Sequence, residues 1–247
     1  NSRTLNLIDD LKDIKGIIFV FFCTIDTNSR HWAEVLWEKY VEHQVPVTKE
    51  AFREAYVFGE RSLAKFPFIR PDHDFYDVLA IKTKLQMEYL AEKRHLPMDE
   101  IQLRNYALNV AKSCYEYVLG ILSVTRPVVE ELAKKYKLVL VSNFYGNIQT
   151  ILNDFNLMSY FADIIESSVV GVRKPDPAIY QLGVDAMGYN ADQVLVVGDS
   201  FSKDMVPAKK VGCKAIWLKG EGWGGEVTDD SLPDAIITDM VQLLSIV

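Results

Sequence analysis

Short runs of uninterrupted apolar residues mark the start and the second half of the chain. Between them, apolar positions recur every three or four residues. Ile17–Phe22, Leu138–Val141 and Val194–Val197 are continuous, apolar and rich in β-branched or aromatic residues, the pattern of strands buried on both faces. Ile164–Ile165, Ala215–Leu218 and Ala235–Ile237 are shorter strand candidates. Thr125 is placed to cap a helix opened by Pro127, with Val128, Val129, Leu132, Ala133 and Tyr136 as its buried stripe. Pro177 opens another, with Ile179, Leu182, Ala186 and Met187 turned inward and Gly188 as its stop. Pro207 fits only a first turn, so the helix ending at Gly212 starts near Asp204. Strands alternating with helices imply an α/β fold, a parallel sheet with right-handed crossovers and helices on both faces.

The block from Asn28 to Leu122 has no strand pattern. Four amphipathic segments fill it, each at helical spacing. The first carries Trp32, Leu36 and Tyr40. The second starts at Thr48, with Phe52, Ala55, Tyr56, Gly59 and Leu63 inward. The third starts at Asp74, with Val78, Ile81 and Leu85. The last starts at Asp99, with Leu103, Tyr106, Ala107, Val110, Cys114 and Tyr117. The expected organisation is a Rossmann-like core over residues 1–27 and 123–247, with an all-helical cap subdomain inserted over residues 28–122.

The 247 residues are 49% hydrophobic and 25% charged, close to globular averages, which excludes a disordered or low-complexity chain. Lys and Arg number 27 against 34 Asp and Glu, a formal net charge of −7, and no long basic stretch offers a nucleic-acid surface. No stretch approaches the roughly 20 apolar residues of a membrane span. Asn1–Asp13 is polar and acidic, unlike a signal peptide, and the missing initial Met is expected to reflect residues upstream. Cys23, Cys114 and Cys213 are few, odd in number and widely spaced, which points to free thiols in a reducing, cytoplasmic setting. His31, His43, His73 and His95 share no metal-ligand spacing with them. His73 reads as a loop group between two helices, solvated or facing a pocket. Gly220–Gly225, with Trp223 inside, reads as a mobile surface loop.

Ligands of an open parallel sheet bind beyond the carboxyl ends of its strands, so the residues following each strand are the candidates. Ser142 and Asn143 offer a hydroxyl and an amide to an anion, or cap the next helix. Lys174, in a stiff loop before Pro177, neutralises a phosphate or is a solvated lysine. Asp199 and Asp204, five positions apart, form a hard-cation pair or act as separate helix caps.

Ser142, Lys174, Asp199 and Asp204 come in this order, each after a strand or in a loop before a helix. In this arrangement the chain resembles the haloacid dehalogenase superfamily, most of whose members are phosphohydrolases. The matching stretches are Val139–Asn143, Gly171–Tyr180 and Val194–Leu218. The last of these, VLVVGDSFSKDMVPAKKVGCKAIWL, is similar to the family's fourth motif. The resemblance covers Lys15–Ile25 and Arg126–Val247, and the helical block sits where the family carries a helical cap. It implies a mobile lid over a Rossmann-like sheet. It also implies a substrate phosphate held by Ser142 and Lys174 with Thr24 and Asn143 beside it, and Mg²⁺ held in part by Asp199 and Asp204.

One stretch departs from the family. Its first motif is an apolar strand followed by Asp-x-Asp-Gly-Thr. Here Val20 stands at the nucleophile position, Phe22 at the acid/base position and Cys23 at the glycine, with Thr24 in register. A covalent aspartyl phosphate needs a carboxylate, and leaving-group protonation needs a second. Loss of a nucleophile in such a mechanism removes on the order of 10⁶ in turnover. Alternation along an extended chain points Cys23 away from the face of Val20 and Phe22, and Asp26 falls beyond the strand. The expectation is a dead or strongly impaired phosphatase-type protein with a phosphate pocket and weak or absent Mg²⁺. Two alternatives stand beside it: an active Mg²⁺-dependent phosphohydrolase with its nucleophile elsewhere, and a non-catalytic interaction protein. With the cation weakly held, Asp199 and Asp204 face each other poorly neutralised. A carboxylate pKa then rises or Lys174 becomes the counter-charge, in an open or partly rewired site. Substrate identity and oligomeric state are not legible in the sequence.

Overall fold

The computed structural model describes residues 11–96 and 99–247, so the reading of Asn1–Asp13 falls, through residue 10, outside the described residues. The chain forms two compact units. One comprises Asn1–His31, Ile121–Phe144 and Phe155–Val247, and the other Trp32–Gly120 and Tyr145–Asp154.

The first unit is built on six parallel strands: β1 (Gly16–Phe19), β2 (Lys137–Ser142), β3 (Asp163–Glu166), β4 (Val194–Gly198), β5 (Lys214–Leu218) and β6 (Ala235–Ile237). Their order is β3-β2-β1-β4-β5-β6. The chain therefore leaves β1 toward opposite sides of the sheet, and the ligand crevice of such a sheet opens at the carboxyl ends of β1 and β4. Phe19, the last paired residue of β1, lies opposite Leu140 and Val197. Val20 thus stands one step beyond the strand, level with Val141 and Gly198.

The strand expected over Ile17–Phe22 is shorter than its apolar run. From Phe21 to Ile25 the backbone folds into a tight turn in which Cys23 takes φ 62. The Asp26 amide donates to Phe21 O at 3.3 Å, and the Ser29 amide to Cys23 O at 3.1 Å. These turn bonds replace sheet pairing, so strand alternation does not govern where Cys23 points.

The helices are α1 (Trp32–Glu42), α2 (Lys49–Lys65), α3 (Phe75–Glu92), α4 (Glu100–Ala133), α5 (Ile148–Asp154), α6 (Ser167–Val170), α7 (Pro177–Met187), α8 (Val206–Val211) and α9 (Leu243–Ile246). The helix expected to start at Thr125 is instead the end of α4, which carries Pro127 inside it. Thr125 is not a cap. Its hydroxyl donates to Ile25 O at 2.8 Å and Ile121 O at 3.4 Å, which ties the helix to the turn after β1. On α7, Asp176 caps the N-terminus and Gly188, at φ 76, ends the helix. Its inward face is Ile179, Tyr180, Gly183, Val184 and Met187, while Leu182 is exposed. Gly183 permits close approach to the sheet, because a Cβ there would lie 2.8 Å from Val141 Cγ2 and 2.9 Å from Ile18 Cδ1. Ile18, Val139, Val141, Val196 and Ala215 form the sheet side of this core. Before α8, a five-residue turn, Phe201–Met205, carries Asp204, and Pro207 sits in the first turn of α8 as its ring requires. Trp223 is half-buried rather than free on a loop, with its ring stacked 5.7 Å from that of His31.

The second unit holds α1, α2, α3, α5 and the Glu100–Gly120 part of α4. Thr48 and Asp74 cap α2 and α3 as read. Phe52, Ala55, Tyr56, Gly59 and Leu63 are buried, and the Tyr40 and Phe52 rings pack at 4.7 Å. On α3 only Val78 of the expected stripe is fully buried, and Ile81 and Leu85 are half-buried. The inner face also carries Lys82, Thr83 and Gln86. The Lys82 ammonium lies 3.2 Å from Glu60 Oε1, and the Tyr145 hydroxyl donates to Glu60 Oε2 at 3.3 Å. Burial pulls the Lys82 pKa down, but Glu60 and Tyr145 together raise it above its ordinary value. Among the described residues no helix is long and apolar enough to cross a membrane.

Candidate functional site

Four loops of the first unit meet at the carboxyl edge of the sheet. The turn after β1 contributes Val20, Phe22 and Thr24. Val20 is buried, and the Phe22 ring packs edge-on against Phe144 at 6.4 Å. Both side chains are hydrocarbon, so neither supplies an oxygen to a cation or a lone pair for attack. Asp26, further along the same turn, is fully buried. The Thr24 hydroxyl donates to Asp199 Oδ1 at 2.9 Å and joins the tips of β1 and β4.

Ser142 ends β2. Its side chain is 1% exposed, and its hydroxyl oxygen has no hydrogen-bond partner. A buried hydroxyl without a partner loses its hydration with nothing in exchange, and its proton is available to any acceptor that reaches it. Asn143 is engaged instead. Its Nδ2 donates to Lys174 O at 3.2 Å, and its Oδ1 accepts from the Lys174 amide at 2.8 Å. The amide pins the Lys174 loop to the end of β2, a bond pattern that sequence spacing does not reveal.

Lys174 and Asp204 form the charged centre. Nζ lies 3.0 Å from Asp204 Oδ1, with the side chains only 4% and 2% exposed. The Tyr180 hydroxyl donates to the same oxygen at 2.7 Å, and the Ser200 amide donates to Oδ2 at 3.0 Å. Gly198 makes room for this carboxylate, since a Cβ there would lie 2.7 Å from Asp204 Oδ2. Tyr180 was not singled out in the sequence, where α7 read as an apolar stripe. It both bonds Asp204 and sets its ring 5.5 Å beneath the Lys174 ammonium. Burial, with Asp204 next, pushes the Tyr180 phenol well above its ordinary range. Asp199 is pushed up to about 8, first by burial and then by the Asp204 charge, against the opposing pull of Thr24 and Lys174. Lys174 is thus the counter-charge of Asp204, and one carboxylate of the pair is held toward its neutral form. Asp204 is closed to water, with Tyr180, Lys174 and the Ser200 amide supplying the bonds that solvent would otherwise provide, while Asp199 is half-buried.

Mg²⁺ takes near-octahedral oxygen ligands at about 2.1 Å, generally carboxylates with water and substrate oxygens. Here Val20 offers none, and both Asp204 oxygens are engaged by donors. One Asp199 oxygen accepts from Thr24. Among the described residues no group of three or more His, Cys, Asp or Glu side chains is arranged to hold a metal ion. The side chains present do not fit a resident Mg²⁺.

Comparison with known proteins accords with this geometry. Residues 20–212 match the haloacid dehalogenase-like hydrolase family, so the match begins at the tip of β1. The chain is 31% identical over 104 residues to haloacid dehalogenase-like hydrolase domain-containing protein 3 of Danio rerio, covering 42% of this chain and 43% of that protein. It is 31% identical over 125 residues to the 5-amino-6-(5-phospho-D-ribitylamino)uracil phosphatase YigB of Escherichia coli (strain K12), covering 50% and 51%. The chain therefore spans about half the length of these curated relatives. A crystal structure of YfnB from Bacillus subtilis, described as a HAD-hydrolase bound to magnesium, superposes with a TM-score of 0.59 at 17% identity. It covers 94% of this chain and 98% of that one, a likeness of fold.

Proposed function

The chain belongs to the haloacid dehalogenase-like hydrolase family, and from that premise we propose that it is a hydrolytically silent member that keeps an anion pocket for a small phosphorylated molecule. The observation that carries the first half is Val20, a hydrocarbon side chain one step beyond the last paired residue of β1. The register has independent support. Cys23 occupies the family's glycine position and takes φ 62, a region in which glycine is at ease and other residues are uncommon. Sliding the motif by one residue would lose that agreement. Without a carboxylate at Val20 there is no group to form the acyl phosphate, and without one at Phe22 there is none to protonate the leaving oxygen.

The unpartnered Ser142 hydroxyl and the Lys174 ammonium support the second half. A hydroxyl donor and a cation bonded to a fixed carboxylate suit a phosphate oxygen. Similarity to a protein named as a phosphatase supports a phosphate ester as the ligand class. Three buried free thiols support a reducing, cytoplasmic setting. The experiment is paired. Turnover of p-nitrophenyl phosphate should stay at background with or without Mg²⁺, while calorimetry with inorganic phosphate should show binding that Lys174→Ala removes. Turnover abolished by Asp199→Ala would contradict the silent reading. Phosphate binding indifferent to Lys174→Ala would contradict the pocket.

A further inference from the structure

We infer that the anion pocket works without a divalent cation, because the Lys174 ammonium occupies the electrostatic role that a metal would fill; this rests on the anion-pocket reading above and makes it more specific. Three observations converge. The carboxylate most deeply set in the site, Asp204, is bonded on both oxygens by Tyr180, Lys174 and the Ser200 amide. The charge that would draw a cation to Asp204 is already met by an ammonium 3.0 Å away, at 4% side-chain exposure. Second, Asp204 is packed flush against Gly198, where an added Cβ would lie 2.7 Å from its Cβ, Cγ and Oδ2, so it has little room to turn a free lone pair toward the crevice. Third, the β1 tip that would complete an oxygen set carries Val20.

The remaining charge arrangement suits an anion bound directly by protein donors. Lys174 is held from two sides: its ammonium by Asp204 and its backbone by both ends of the Asn143 amide. An ammonium carries three donors, so one bonded to Asp204 retains others for an oxyanion. Ser142 adds a hydroxyl with no competing partner. Asn143 is then a positioning residue that acts through Lys174.

The test measures inorganic phosphate binding to the full chain by calorimetry, once in EDTA and once in excess Mg²⁺, and Mn²⁺ uptake separately by paramagnetic resonance. Phosphate affinity should be the same within about twofold in the two buffers, and the unsubstituted protein should show no saturable Mn²⁺ uptake. Lys174→Ala should lose phosphate binding and gain Mn²⁺ uptake, since Asp204 is then released. Val20→Asp should gain Mn²⁺ uptake with Lys174 in place, and serves if the first variant fails to fold. Phosphate binding strengthened about tenfold or more by Mg²⁺, or saturable Mn²⁺ uptake by the unsubstituted chain, would overturn metal independence and leave the anion pocket standing. No phosphate binding in either buffer would overturn the anion pocket and this inference with it.

Discussion

Lys174 Nζ lies 3.0 Å from Asp204 Oδ1, with both side chains nearly excluded from water. A buried ion pair is not by itself stabilising, but removing one partner strands the other. Lys174→Met should therefore destabilise the fold by on the order of 3 kcal/mol, read as a lower urea midpoint with an unchanged slope. Asp204→Asn keeps one acceptor oxygen but sets its NH2 against a donor on the other side, so it too should lower the midpoint. A midpoint unmoved by Lys174→Met would mean that Asp204 finds solvent or another donor.

Gly198→Ala should be more damaging than an exposed substitution. The new methyl would lie 2.7 Å from Asp204 Cβ, Cγ and Oδ2, a clash with a side chain bonded through both carboxylate oxygens. Overpacking of this kind costs about 1–3 kcal/mol. Thermal unfolding measures it, and a neutral result would mean that the Asp204 carboxylate shifts easily.

Asp199 gives the protein a pH dependence of defined sign. Its folded pKa is pushed up to about 8 by burial and by Asp204, against about 3.9 in an unfolded chain. Across that window the folded state keeps a proton that the unfolded state has released, so this group's contribution to stability falls as pH rises from about 4 to about 8. Asp199→Asn should flatten the loss, and its advantage over the unsubstituted chain should be larger at pH 8 than at pH 5. Equal pH profiles for the two proteins would contradict the raised pKa.

Much of this was legible in the sequence for physical reasons. Buried parallel strands announce themselves as continuous apolar runs, so Leu138–Val141, Val194–Val197 and even the short Ala235–Ile237 are strands. Helix starts with local chemistry, at Thr48, Asp74 and Pro177, were equally plain. Three features were not. The apolar run at Ile17–Phe22 gives no sign that pairing stops at Phe19, because that depends on the turn bonds that follow. Pro127 looks like a helix start, yet α4 continues through it with Thr125 bonded to Ile25 O. Tyr180 and Lys82 sit on faces that periodicity assigns to the core, and their partners are distant in sequence: Asp204 for the one, Glu60 for the other.

The helical unit carries its own polar interior, which sets a fourth prediction. Lys82 is held at 3.2 Å from Glu60, which also accepts from Tyr145. Lys82→Ala should lower stability by about 2 kcal/mol, less than a fully buried pair because Glu60 keeps partial solvent access. Joint replacement by Lys82→Met and Glu60→Leu should cost less than the sum of the single changes, since neither charge is then left alone. Strict additivity in denaturant unfolding would mean that the two groups do not interact.

The most direct measurement compares p-nitrophenyl phosphate turnover, with Mg²⁺ present, by the unsubstituted protein and by the double variant Val20→Asp, Phe22→Asp. The unsubstituted protein should remain at background, and the variant should turn over substrate, because the missing nucleophile and acid are restored where β1 ends. Turnover by the unsubstituted protein well above background, or a phosphoryl group trapped on any of its residues, would contradict the claim that this site has lost its covalent chemistry.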